Sequence, residues 1–252
     1  RLGVSLLKDV KGDIDLDISS VSATANLTSN FDVDSLIAAN SFAAFTTTND
    51  ADVGLLQLTA GNLDANVTID GSLTTLSLAA DLSATKTVIA DAIGGATLGG
   101  ALAGSLTSRA GGAIGDVAVG TDLSGSLSAG TTLGTLTIGD ELTATGAVTT
   151  GGHATEIETT GALDGTVTIG DALGTLDVHG NLTGDVDVTG AITTAQVAGD
   201  LSGTLDGSST LGTLSVGGTL SGTVDTVGAI TTADIEGDLS GTLNTDDTLG
   251  VL

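Results

Sequence analysis

Of 252 residues, 31 are Asp or Glu, against five Lys or Arg and two His, for a formal charge of −26. Chemistry in such a chain falls first to carboxylates. Asp187, Asp206 and Asp225 lie nineteen residues apart, with Asn244 next at the same interval, and Asp15 precedes Asp32, as Asp17 precedes Asp34, by seventeen. If equal intervals mean equal places in stacked repeats, these residues form acidic columns with neighbours about 4.8 Å apart. Such pairs repel by roughly 0.9 kcal/mol in water and about 3.5 kcal/mol at an effective dielectric of about 20. A cation relieves that repulsion. Calcium takes about six to eight oxygens at about 2.3 to 2.6 Å, which two or three Asp with carbonyls and waters can supply. The seven Asp are therefore candidate calcium ligands, and the competing role is that of solvated acids that keep an elongated molecule soluble.

Other constellations carry less. DIDLD, Asp13 to Asp17, opens like an EF-hand loop but has Ile18 where the sixth position needs Gly and Thr24 where the twelfth needs Glu. Glu156 and Glu158 form an i, i+2 pair suited to one strand face. His153 and His179 fall in repeats two apart, roughly 10 Å, too far for a shared metal or a catalytic pair. No Trp or Tyr is available to stack a sugar, and cations are scarce, so a polysaccharide-active enzyme ranks below a non-enzymatic role. GGATLGG and GGAIGDV lack the following helix of a phosphate loop. Without Cys there are neither disulfides nor thiolate metal sites. The negative charge disfavours nucleic acid and anionic membranes. No apolar run is long enough to span a bilayer as a helix. Asn26, Asn66 and Asn181 stand in N-x-T sequons, which matter only in a glycosylating, secreted context.

The elements that would hold these residues follow from an internal repeat. With Leu173 as step 1, LGTLDVHGNLTGDVDVTGA restarts at Ile192, Leu211, Ile230 and Leu249, and backwards at Ala154, Leu133, Ile114, Ile93, Leu73 and Val53. Apolar residues fall at steps 1, 4, 6, 10, 14 and mostly 16, small ones at 8 and 12, and Asp or Asn often at 9. The alternation around steps 4 to 6 and 14 to 16 predicts strands with one face buried, and frequent Gly and β-branched residues exclude helices. Strands this short, punctuated by Gly-Asp or Gly-Asn, pair best with the same strand of the next unit. The prediction is an all-β, right-handed parallel β-helix of about thirteen coils of 17–21 residues, a rod on the order of 60 Å long, with an antiparallel sandwich as the alternative. A core of Val, Ile, Leu and Ala suits a narrow tube, and the absence of Pro suits ladders in which nearly every strand N–H is used.

Residues 53–252 form the regular solenoid, and 1–52 are expected as irregular coils, with irregular structure or a bulging loop over 36–52, where Phe42 and Phe45 lie. Leu249-Gly-Val-Leu252 repeats the start of a coil, so an uncapped C-terminal edge is expected, open to further repeats or to end-to-end or lateral association with another copy.

LGTLxVxGxLSGTVD, seen at 173–187 and 211–225, resembles the Gly/Thr/Asp-rich β-solenoid repeats of very large secreted and cell-surface proteins of bacteria, including planctomycete-type giant proteins and adhesins of the filamentous-haemagglutinin kind. The resemblance implies an extracellular or cell-surface place and a scaffold or adhesion role, and it carries over no catalytic residue. A structural element therefore leads, with a glycan- or ice-binding surface module next. For ice, the Thr column at step 3, Thr175, Thr194, Thr213 and Thr232, is flanked by charge at Asp177 and Asp234, which spoils a regular array.

Overall fold

The computed structural model describes residues 26–252 and the backbone of Asp15–Asp17. The chain is an all-β parallel solenoid of about twelve turns, with no helix among the described residues. Most turns contribute a six-residue strand such as Leu173–Val178 to a 13-stranded sheet and a four-residue strand such as Asp185–Val188 to a 12-stranded sheet. Between them the step 10 leucines form single parallel bridges from Leu63 through Leu82, Leu102 and onward to Leu239, making a third, narrow wall.

The register follows the buried face. Val53, Leu73, Ile93, Ile114 and Leu133 stack as consecutive partners, and the column continues through Ala154 and Leu173 to Leu249. A one-residue slip would turn that column outward, so burial fixes the pairing. The core holds steps 1, 4, 6, 10 and 14 of nearly every coil. Full burial of each such Leu, Ile or Val contributes about 1.5 to 3 kcal/mol.

At step 16 several coils bury a hydroxyl instead. Thr150 Oγ1 donates to Gly152 O at 2.6 Å, Thr226 Oγ1 to Gly228 O at 2.7 Å, and Ser108 Oγ to Gly112 O at 3.0 Å. These side chains satisfy carbonyls of the turn that follows, so a polar atom enters the core already paired. Among the described residues no buried side-chain N or O lacks a partner.

The small residue at step 12 answers to sterics. A Cβ on Gly184, Gly203, Gly222 or Gly241 would stand 2.0 to 2.1 Å from the carbonyl oxygen of the glycine one coil below. Step 2 shows why the units alternate between LGTL and ITTA. Gly174, Gly212 and Gly250 lie over Thr155, Thr193 and Thr231, and a Cβ on each would meet the Thr carbonyl oxygen at 2.2 to 2.4 Å. Step 4 alternates in the same phase, Leu176, Ala195, Leu214, Ala233, all buried. Large and small side chains thus interdigitate along the axis, and the packing unit in this half is a pair of coils.

Residues 36–52 do not form the expected loop. Val33–Ala38 pairs with Val53–Leu58, and Ala44–Thr47 pairs with Asn66–Thr68, in the register of every later coil. Phe42 and Phe45 are buried, with ring centroids 6.4 Å apart at 78°. Phe42 stands at step 10, where later coils carry Leu. Aromatic side chains at inward positions disguised a regular coil.

Candidate functional site

The column read from the sequence is present on the outer face of the 12-stranded sheet. Asp187 pairs in register with Asp206, Asp206 with Asp225, and Asp225 with Asn244, while Thr168 precedes them. Asp185 aligns with Thr204 and then Thr223, so it has no acidic partner along its own column. Strands impose this arrangement: residues at i and i+2 share a face, and parallel pairing puts equal steps side by side. Burial, reinforced by Asp225, Asp187 and Asp185, raises the Asp206 carboxyl above its ordinary 3.8. At the far end Asn244 Nδ2 donates to Asp225 Oδ1 at 2.9 Å, so an amide replaces what would be a further repulsion.

The N-terminal columns are arranged differently. The backbone of Asp15 is in register with Ser35 and that of Asp17 with Ile37, so neither Asp15 over Asp32 nor Asp17 over Asp34 forms. The backbone of Leu16 is in register with that of Leu36, so the offset between these two coils is twenty residues and not seventeen. The side chains of Asp15 and Asp17 lie outside the described residues. Asp32 and Asp34 are exposed on either side of buried Val33. Asp32 Oδ1 accepts the amide of Asp52 at 3.0 Å, and Asp52 Oδ1 accepts that of Ser72 at 2.6 Å. Asp32 therefore ties one coil to the next at a corner.

The same device explains step 9. Asp81 Oδ1 accepts the amide of Ala101 at 2.8 Å, Asn181 Oδ1 that of Asp200 at 2.9 Å, and Asp200 Oδ1 that of Thr219 at 2.7 Å. Each carboxylate or carboxamide reaches the next coil rather than its own turn. It passes the step 8 glycine on the way, and a Cβ on Gly100, Gly199 or Gly218 would fall 2.0 to 2.2 Å from that side-chain oxygen. The small residue at step 8 and the Asp or Asn at step 9 are one feature spread over two coils.

Sequence reasoning missed one cluster. His179 Nε2 lies 3.4 Å from Asp177 Oδ2 and 3.8 Å from Glu158 Oε1 on the face of the 13-stranded sheet. Glu158 and Asp177 are register partners at step 5, and His179 follows Asp177 by two, so the signal lay in the alignment. Among the described residues no group of three or more His, Cys, Asp or Glu side chains is placed to hold a metal ion. The Thr column at step 3 is continuous from Thr175 to Thr232, with Asp177, Gln196, Ser215 and Asp234 beside it at step 5. Chemically, these faces offer charge, hydroxyls and coil-to-coil hydrogen bonds on a ridged surface with shallow grooves. Compared with known proteins, the chain matches no family model, no curated protein and no solved structure.

Proposed function

We propose that this chain is a non-enzymatic structural β-solenoid segment of an extracellular or cell-surface protein, serving as a stalk, filament core or surface-layer element of the kind the Gly/Thr/Asp-rich repeats resemble. One observation carries the reading: most of the positions that the repeat holds constant serve coil-to-coil stacking. Steps 1, 4, 6, 10 and 14 fill the tube, step 12 clears a carbonyl, and step 9 bonds the next coil. Calcium belongs to the proposal as a counter-ion of Asp187, Asp206 and Asp225, bridging neighbouring carboxylates and completing its shell with water. Self-association is its other partner term. Coils of one pattern can stack on or beside coils of a second copy by the same strand pairing that joins them within the chain. An antibody raised against residues 53–252 tests the reading. It should label intact producing cells, and labelling that requires permeabilised cells would overturn it.

A second reading, a module that binds a glycan, is favoured by a groove on the 12-stranded sheet side.

A further inference from the structure

Most coils turn from the step 10 leucine into the short strand with two residues, as Ala103-Gly104 do before Ser105–Ser108 and Ser124-Gly125 before Ser126–Ala129. Two coils use four. Ser83-Ala-Thr-Lys86 precedes Thr87–Ala90, and Thr143-Ala-Thr-Gly146 precedes Ala147–Thr150. Each insertion closes a turn, with Lys86 N donating to Ser83 O at 3.1 Å and Gly146 N to Thr143 O at 2.8 Å. The two lie on the same corner three coils apart, about 14 Å, and the two ordinary coils between them leave a saddle.

That saddle is a groove of about 280 Å³ with Thr85, Lys86 and Thr145 on its walls and Gly104, Gly125 and Ser126 on its floor. Its hydroxyls are held in place: Thr145 Oγ1 donates to Ser124 O at 3.0 Å, and Ser126 Oγ donates to Ser105 Oγ at 2.9 Å. Thr85 has φ +66°, a left-handed conformation that a β-branched residue rarely takes. Such strain collects where a site requires it. Lys86 is half-buried, and its ammonium has no ion-pair or hydrogen-bond partner among the described residues, whereas Arg109 is paired with Asp91.

A second feature makes this place accessible to an anion. The outward positions of the eight short strands from Asn26–Ser29 to Thr166–Ile169 hold Thr, Ser, Asn, Ala and one Ile, and none is charged. On a chain of charge −26 this is a neutral strip, and the saddle adjoins it on one side, while Asp64, which accepts from Ser83 Oγ, and Asp164 stand on the same corner one coil outside the walls. Fixed hydroxyls, exposed backbone and one free ammonium suit a polyhydroxylated chain bearing acid groups.

We propose that the saddle between Thr85-Lys86 and Thr145 binds an acidic glycan, with Lys86 taking its carboxylate or sulfate. This rests on the glycan-binding reading and leaves the rod intact whichever way it falls. Calorimetric titration of the full chain at 150 mM salt against oligogalacturonate, a sulfated oligosaccharide, neutral dextran oligomers and poly-glutamate tests it. At least one acidic glycan should bind tenfold or more tighter than dextran and poly-glutamate, and the two acidic arms distinguish uronate from sulfate. Lys86→Ala should weaken that binding at least tenfold with unchanged melting. Thr85→Gly, which relieves the left-handed strain, should weaken it severalfold with equal or higher melting temperature. No binding by either acidic glycan, equal binding of poly-glutamate, or affinity unchanged in Lys86→Ala overturns the proposal.

Discussion

A single missing or added methyl has opposite consequences at different glycines of this chain. Gly207 occupies step 16, where other coils bury Val188 or Thr226, and a Cβ there would make ordinary van der Waals contacts, with Thr226 Cγ2 at 3.6 Å, Ile192 Cδ1 at 3.7 Å and Ser209 O at 4.0 Å. Gly207→Ala fills that space and restricts the unfolded chain, so it should stabilise by about 0.5 to 1 kcal/mol in denaturant melts. Gly203→Ala, at step 12 over Gly184 O, should destabilise by about 3 kcal/mol or more, because the nearest atom is backbone. Asp206 supplies a pH test. Its carboxyl is raised by burial and by Asp225, Asp187 and Asp185, so the ionised form is disfavoured by folding. The penalty is absent below the ordinary value of 3.8 and sets in as pH rises through the folded value. Asp206→Asn should therefore melt higher than the parent near neutral pH, by about 0.5 kcal/mol given the screening of an exposed ladder. The difference should vanish below about pH 3.5. A gain that persists there would show that the amide acts through something other than charge.

At the scale of strands and corners, the parts of the fold legible in the sequence are those that burial dictates. Steps 1, 4, 6, 10 and 14 named the inward residues from Val53 onward, and the acidic column through Asp187 followed from the same frame. Legibility failed where apolar identity changed, at Phe42 and Phe45, and where an acidic spacing of seventeen was read as the offset between coils that the register sets at twenty. The hydrogen bonds of the step 9 column were not readable, because local turn chemistry and a reach to the next coil use the same residue types. Neither were the saddle's walls, since a two-residue insertion reads as slack until its neighbours are in place. For the acidic column, calcium should raise the melting temperature by more than sodium at equal ionic strength, and Asp206→Asn should remove the excess. Equal effects of the two salts would leave only general screening.

Across the whole molecule, a rod made of coils should tolerate changes of length that respect its packing unit. Residues 173–210 make two coils, and removing them places Leu211 after Ala172. Gly212 then lies over Thr155 at step 2, and Leu214 lies on Ile157 at step 4, reproducing the contacts that Gly174 and Leu176 make now. Removing 173–191 alone takes out one coil and puts Thr193 over Thr155. From Asp34 to Gly250, no two residues bearing a side chain are neighbours at step 2; every Thr or Asp there has Gly above and below within the described coils. Because a solenoid's stability is close to a sum over neighbouring interfaces, the smaller deletion should be the more damaging one. The two-coil variant should fold with near-parental melting and a scattering-derived length shorter by about 10 Å. The one-coil variant should melt lower despite retaining more chain. The reverse order would mean that the alternation of LGTL and ITTA units plays no part in how the coils pack.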